Sequence, residues 1–173
     1  MPKTILLVCT GNSCRSVMAE ALLRKMLKDK GIGEDKVLVK SAGVSAPEGA
    51  SPTKDTIEVM WNLGIDVAEH RARRLNDDEI READLILVMD RFHKEEIIKR
   101  APGSRDKVLL LKEYNNPKGD KALPLVDGKA YPVDKDLDIQ DPIGRPIDVY
   151  QDVLIDIQGA LANVVVSLME RLK

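Results

Sequence analysis

Apolar residues in this chain form two kinds of pattern, short continuous runs and longer stretches in which they recur every three or four positions. Continuous runs are typical of strands buried in a parallel sheet, and the wider spacing is typical of helices packed on such a sheet. The predicted strands cover residues 4–8, 37–40, 85–89 and 107–111. Because strands and helices alternate, the sequence predicts an α/β fold, an open parallel sheet of about four strands with helices on both faces.

The first predicted helix begins near Val17 and ends at the glycines Gly31 and Gly33. Its apolar residues fall at positions i, i+3, i+4, i+7 and i+8, so they share one face of the helix. These residues are Ala19, Leu22, Leu23, Met26 and Leu27. The loop 9–15 therefore connects the end of a buried strand to the N-terminus of a helix.

Further helices are predicted at residues 53–64, 77–82 and 90–100 and along the C-terminal stretch, which carries an apolar stripe. In the first of them we expect Ile57, Met60 and Trp61 to face inward. In the helix at 90–100 we expect His93 to face solvent or to cap a helix end. No internal repeat or linker is visible, so we expect one domain over residues 1–173, with an irregular insertion at about 114–140.

Composition and charge exclude several classes of protein. The chain is 43% hydrophobic and 32% charged, as in soluble globular proteins, and its net charge of −2 implies no general attraction to nucleic acid or to an anionic membrane. No signal-like segment opens the sequence and no run of 18 apolar residues occurs, so we expect a cytoplasmic protein. The basic cluster Arg71, Arg73 and Arg74 is expected to be solvated surface rather than a docking site for an acidic partner.

The loop at 9–15 has the composition of an anion site. The first N–H groups of a helix lack partners within it and carry the positive end of the helix dipole, so they favour a bound anion. Gly11 and Asn12 tolerate the positive φ that such a loop requires. A phosphate group held there would lie beside Cys9 and Arg15, and the same field would favour the thiolate form of Cys9.

Each cysteine also has a structural alternative. Cys9 could be a small buried apolar residue at a strand end, which is common for free cysteines. Cys14, five residues on, could form a reversible disulfide with Cys9 or simply pack at the base of the loop, and both interpretations stay open. Two cysteines match neither a disulfide framework nor a structural zinc site, so no metal site is expected.

The motif CTGNSCRS, followed by MAE at residues 18–20, resembles the signature of the low-molecular-weight protein tyrosine phosphatases. That family also includes bacterial protein arginine phosphatases and thioredoxin-coupled arsenate reductases. The resemblance continues in SAG at residues 41–43 and in Asp141, which precedes Pro142. It implies that Cys9 is the nucleophile, that Arg15 clamps the phosphoryl group, and that Asp141 acts as acid and then as base. It implies no cofactor or metal.

The resemblance also assigns the remaining site residues. Backbone amides of the loop, together with the Ser16 hydroxyl, are expected to bind the substrate's phosphoryl group or the nucleophile. This substrate-binding set is Thr10, Gly11, Asn12, Ser13, Cys14 and Ser16. The residues expected to support the loop are Asn12, Ser41 and His70. Ser41 matches a serine that braces the loop, and His70 matches a histidine that hydrogen-bonds Asn12.

The implied function is metal-independent hydrolysis of phosphomonoesters in proteins through a phosphocysteine intermediate. A phosphorylated protein is the implied partner, and we expect a monomer or weak dimer that binds neither nucleic acid nor membrane. The pocket wall is less aromatic than usual, because Ile143 follows Asp-Pro and Val44 follows SAG, where members of the family often carry aromatic residues.

Three other functions compete with this one. A protein arginine phosphatase is the main alternative, because Ser13 occupies a position that is aliphatic in many tyrosine phosphatases and threonine in the arginine phosphatases. An arsenate reductase would need further cysteines in mid-chain, and the sequence has none after Cys14. A non-catalytic phosphate-binding module would not need Cys9, Arg15, Ser16 and Asp141 together.

Overall fold

The computed structural model describes residues 1–114 and 136–172, so most of the predicted insertion at 114–140 lies outside the described residues. In the described part of the chain, parallel strands form one sheet of four in the order β2-β1-β3-β4. The strands are β1 Lys3–Cys9, β2 Val37–Gly43, β3 Leu85–Val88 and β4 Val108–Leu110. The predicted open parallel α/β sheet is confirmed.

Helices cover both faces of the sheet. They are α1 Arg15–Asp29, α2 Lys54–Trp61, α3 Asp77–Glu82, α4 Arg91–Arg100 and α5 Ile147–Arg171. Helices α1, α2 and α5 pack on one face, and α3 and α4 pack on the other. Short 3₁₀ turns at Pro102–Lys107 and Leu111–Glu113 flank β4.

Strand β1 is apolar from Ile5 to Cys9 because both of its faces are covered there. Ile5 and Leu7 point into the core under α1 and α5, whereas Leu6 and Val8 point into the core under α3 and α4. Successive side chains of a strand alternate between the faces of a sheet, so a central strand needs a continuous apolar run. This is why the run after Lys3 was a reliable strand signal.

Among the described residues, helix α5 is long and apolar enough to suit a membrane span. Its most apolar window has a mean hydropathy of 1.5, and 67% of that window is buried inside the molecule. The helix packs along α1 and contacts α2. Its apolar stripe therefore belongs to the core of the domain.

Trp61 corrects one prediction for α2. Met60 is buried, as predicted, but Trp61 is 64% exposed. The buried stripe of this short helix consists of Thr56, Val59 and Met60. Trp61 is one residue further on and therefore points about 100° away from Met60, off that stripe.

The carboxyl ends of the strands meet at one edge of the sheet, where ligands bind in open α/β folds. Cys9 ends β1 opposite Gly43 of β2, and Val8 pairs with Val88 just before Asp90. The loop 10–14, the chain after β2 and the start of α4 are thereby brought together.

Candidate active site

The loop after β1 wraps around the Cys9 sulfur. The Asn12 N–H donates to Sγ of Cys9 at 3.3 Å, and Oγ of Ser16 lies 2.9 Å from the same sulfur. Asn12 has a φ of 51°, so the left-handed conformation expected at this part of the loop is present. The N-cap of α1, Cys14, makes no side-chain capping bond, which leaves the first N–H groups of α1 to serve an anion.

Asn12 is the centre of a buried hydrogen-bond network. Its Nδ2 donates to Oγ of Ser16 at 2.8 Å and to Oγ of Ser41 at 3.0 Å, and Ser41 in turn donates to the Glu20 carboxylate. The Arg73 N–H donates to Oδ1 of Asn12 at 3.0 Å, which fixes the orientation of the amide. The predicted supporting residues Asn12 and Ser41 therefore lie in direct contact.

His70 contacts the same asparagine. Its Nε2 lies 3.2 Å from both the backbone oxygen and Oδ1 of Asn12. Both are acceptors, so Nε2 carries the hydrogen and donates. Burial lowers the pKa of His70, with the Glu20 charge opposing the shift, and the ring is neutral at neutral pH.

Gly43 supports the loop through its backbone, a role that sequence reasoning missed. A Cβ at this position would lie 2.4 Å from the Thr10 carbonyl oxygen and 2.9 Å from the Asn12 nitrogen. The chain beyond it binds the loop directly, because Val44 N–H donates to the Cys9 carbonyl at 3.0 Å. The sequence signal was the motif SAG at residues 41–43, which ends in a glycine at the end of a strand.

Arg15 is 2% exposed, and hydrogen bonds hold its guanidinium at Nη1. Its Nη1 donates to Oδ2 of Asp90 at 2.9 Å and to the Ile139 carbonyl at 2.8 Å. Asp90 was predicted only as the first residue of a helix. An acidic residue directly after a buried parallel strand was the signal that could have assigned it to the site.

Asp141 lies at the mouth of the site, with 44% of its side chain exposed. Its Oδ2 is 3.5 Å from Nη2 of Arg15, and its Oδ1 accepts the Ile143 N–H at 3.1 Å. The Ile143 side chain beside it is exposed. The structure thus brings Asp141 to the arginine that closes the Cys9 loop, although 126 positions separate the two residues in sequence.

For His93 the sequence predicted either a solvent-facing side chain or a helix cap. The side chain is completely buried and takes part in the cap of α4, so the second alternative is confirmed. Its Nε2 lies 2.8 Å from Oγ1 of Thr10, and its Nδ1 lies 3.2 Å from the Asp90 nitrogen. A neutral, buried histidine therefore contacts the first residue of the loop.

Cys14 is buried at the base of the loop. Its Sγ lies 3.6 Å from Oγ1 of Thr53 and 3.7 Å from Oη of Tyr150, and both cysteines are free. The half-buried Ser13 follows Asn12, and its carbonyl accepts the Thr53 N–H at 3.2 Å. In residues 1–114 and 136–172, His, Cys, Asp and Glu side chains form no cluster of three or more that could hold a metal ion.

Comparison with known proteins identifies the family. The family model for low molecular weight phosphotyrosine protein phosphatase matches residues 4–173. A probable low molecular weight protein-tyrosine-phosphatase, EpsP of Ralstonia nicotianae, is 38% identical over 91% of this chain and 90% of its own. A protein-arginine-phosphatase of Geobacillus stearothermophilus is 40% identical over 87% of this chain and 86% of its own.

A solved structure agrees with these sequence matches. The YwlE arginine phosphatase from G. stearothermophilus superposes with a TM-score of 0.79 at 34% identity, covering 98% of this chain and 95% of the other. The chain therefore belongs to the low molecular weight phosphotyrosine protein phosphatase family.

Proposed function

We propose that this protein hydrolyses phosphotyrosine in phosphorylated proteins, with Cys9 as nucleophile, Arg15 as phosphoryl clamp and Asp141 as acid and base. The observation that carries the proposal is the enclosure of the Cys9 sulfur by donors. The Asn12 N–H and the Ser16 hydroxyl both lie within hydrogen-bonding distance of it, and the N-terminus of α1 adds a positive field. Such surroundings stabilise a thiolate, which is the reactive form of cysteine.

The first step would transfer the phosphoryl group to sulfur. The Cys9 thiolate attacks phosphorus, an S–P bond forms, and the bond from phosphorus to the tyrosine oxygen breaks. Asp141 in its protonated form gives its proton to the departing oxygen, so tyrosine leaves as a neutral phenol. The exposed position of Asp141 at the mouth suits this role, because the leaving group must point away from the loop.

The second step would release phosphate. The Asp141 carboxylate takes a proton from water as the water oxygen attacks phosphorus, and the S–P bond breaks. Ser16 and the Asn12 N–H stabilise the departing Cys9 thiolate through the contacts described above. The products are inorganic phosphate and the starting enzyme, with Asp141 protonated again for the next cycle.

Arg15 would bind two equatorial phosphoryl oxygens and strengthen that contact as charge develops. Among the described residues, its hydrogen bonds to Asp90 and to the Ile139 carbonyl both use Nη1. Its Nη2, near Asp141, is therefore oriented toward the mouth of the site. A clamp that is fixed before substrate binds costs little reorganisation during the reaction.

The test is hydrolysis of p-nitrophenyl phosphate without added metal. We expect wild-type protein to hydrolyse this substrate and Cys9→Ser to show no turnover. On phenyl phosphate, whose leaving group needs a proton, we expect Asp141→Asn to lose about 10²–10⁴-fold in kcat, the range for a lost general acid. Normal turnover by Cys9→Ser would exclude the covalent mechanism. Lys99→Ala, an exposed change on α4, is the matched control and should match wild type.

Protein arginine phosphatase activity is the second candidate. Ser13 favours it, since its hydroxyl belongs to residues 10–15, the phosphate loop, and the relative from G. stearothermophilus bears that name. The test compares kcat/KM on a phosphotyrosine peptide and on a phosphoarginine peptide. If the hydroxyl selects phosphoarginine, Ser13→Val should shift the ratio of the two rates toward phosphotyrosine by about 10-fold, the scale of one polar contact. An unchanged ratio would exclude Ser13 as the selector.

We further propose that the protein works in the cytoplasm as a monomer or weak dimer and binds neither nucleic acid nor membrane. The net charge of −2 and the burial of most of α5 support this proposal. Sedimentation at micromolar concentrations tests the oligomeric state, and fractionation of cells tests the location. A stable dimer or a membrane-bound pool would contradict it.

A further inference from the structure

The start of α4 carries a reciprocal hydrogen-bonded cap in which a histidine takes part. Oδ1 of Asp90 accepts the His93 N–H at 3.3 Å, and the Asp90 N–H donates to Nδ1 of His93 at 3.2 Å. Glu or Gln is the usual partner at this third helical position. The imidazole here is completely buried, which a helix cap alone does not require.

The second nitrogen of the same ring reaches the phosphate loop. Nε2 of His93 lies 2.8 Å from Oγ1 of Thr10, the residue directly after Cys9. Since Nδ1 accepts the Asp90 N–H, Nε2 carries the ring hydrogen and donates it to the Thr10 hydroxyl. His93 therefore joins α4 to the first residue of the loop.

Asp90 extends this chain of contacts to the last residue of the loop. While one carboxylate oxygen caps α4, the other accepts from Nη1 of Arg15 at 2.9 Å. The contacts thus run from Thr10 through His93 and Asp90 to Arg15. The two ends of the loop, one beside the nucleophile and the other at the clamp, are fixed by one buried ring and one carboxylate.

A neutral imidazole suits this position better than an acid. Burial lowers the pKa of His93 to about 4, and the Arg15 charge adds to that shift, while Asp90 and Asp141 oppose it. A glutamate in its place would add a negative charge beside Asp90 and compete for Arg15. The uncharged ring supplies both hydrogen bonds without weakening the field that would bind phosphate.

We propose that His93 is a positioning residue for phosphoryl transfer. It orients Asp90 and, through Asp90, the guanidinium of Arg15, and it fixes the Thr10 end of the loop that carries Cys9. This inference rests on the proposed phosphatase function and adds to it a residue whose side chain does not touch the substrate.

Two substitutions cut the same hydrogen bond from opposite sides. His93→Asn keeps an oxygen where Nδ1 lies, so the Asp90 N–H retains its acceptor, but the side chain is too short to reach Thr10. Thr10→Val removes the hydroxyl at nearly constant shape and leaves His93 intact. Each should lower kcat/KM for p-nitrophenyl phosphate by about 10–100-fold, the scale of a small misplacement of reacting groups, and should weaken inhibition by orthovanadate by a similar factor. The double variant should be no worse than the poorer single variant.

Ile97→Val is the control for helix stability. Ile97 is a buried residue of α4, so its shortening should lower the melting temperature while kcat/KM and vanadate inhibition stay at the wild-type level. Wild-type rates in His93→Asn would mean that the ring serves only as a helix cap, and would overturn the proposal. Additive losses in the double variant, or an equal loss of activity in Ile97→Val, would overturn it as well.

A binding measurement separates this inference from the proposed function. Inorganic phosphate is titrated calorimetrically into wild type, His93→Asn and Thr10→Val, which needs no turnover. Weaker phosphate binding in both variants supports the positioning role even if wild type hydrolyses nothing, and unchanged binding contradicts it. Lack of turnover by wild type counts against the proposed function alone.

Discussion

Gly43 acts on the site through the absence of a side chain. The two atoms that its Cβ would approach, the Thr10 oxygen and the Asn12 nitrogen, both belong to the backbone of the phosphate loop. Backbone atoms cannot rotate aside as the end of a long side chain can. Any larger residue at position 43 must therefore push the loop away from β2.

Gly43→Ala should lower kcat/KM by about 10–100-fold, because the displaced loop no longer holds the proposed nucleophile Cys9 and the proposed clamp Arg15 in place. The free energy of unfolding should fall by about 1–3 kcal/mol, the usual cost of overpacking. Steady-state kinetics and urea unfolding measure the two effects. Gly103→Ala is the matched control, since a Cβ at Gly103 meets no atom within 4 Å. Equal behaviour of the two variants would contradict this account of the loop.

The start of α4 also fastens the segment that leads to Asp141. The Ile139 N–H donates to the Met89 carbonyl at 2.8 Å, and the Asp138 carboxylate accepts the Arg91 N–H at 3.0 Å. An acidic group at this position is stabilised by the helix N-terminus. Asp141, two residues after Ile139, is thereby held at a fixed distance from the loop.

Asp138→Ala should loosen this segment and misplace Asp141. Misplacing the proposed general acid matters most when the leaving group is a poor one, because a good leaving group departs without a proton. We expect kcat/KM to fall by about 10-fold or more on phenyl phosphate and by much less on p-nitrophenyl phosphate. Asp152→Asn, an exposed change on α5, is the control. An equal loss on both substrates would exclude this role for Asp138.

Helix α4 also illustrates what the sequence could and could not predict. The strands and α1 were predictable because their apolar patterns are local, and the loop at 9–15 because its residues adjoin. Asp90 and His93 contact Arg15 and Thr10 only because β3 pairs with β1, and more than 70 positions separate these partners. Trp61 was misassigned because the pattern of a two-turn helix does not define the edge of its buried stripe.

The buried histidine links the stability of the whole molecule to pH. In the unfolded chain His93 has its ordinary pKa of 6.5, whereas in the folded protein the pKa is about 4. Below pH 6.5 the unfolded state therefore binds more protons than the folded state, and the free energy of unfolding falls until about pH 4. The charges that face the ring are those of Asp90, Arg15 and Asp141. The lowered pKa of His70 acts in the same direction.

Urea unfolding of wild type and His93→Asn at several pH values between 6.5 and about 4 tests this linkage. We expect wild type to lose stability more steeply than the variant as the pH falls through this window, because the variant lacks the titrating ring. The variant keeps a shallower slope from His70 and from Asp84, whose pKa is lowered by the hydrogen bond from the Thr4 N–H. Parallel slopes would mean that His93 titrates normally in the folded protein.

Asn12 must meet two demands that no other amino acid meets together. Among the described residues, Asn12 is the non-glycine residue with a positive φ. Its side-chain amide also donates hydrogen bonds to two serines and accepts one from the Arg73 N–H. Glycine would keep the backbone shape but break every one of those bonds. Aspartate would keep an acceptor but lose both donors and bring a negative charge close to the sulfur. Substitution of Asn12 therefore costs either the backbone conformation of the loop or the hydrogen bonds that hold it.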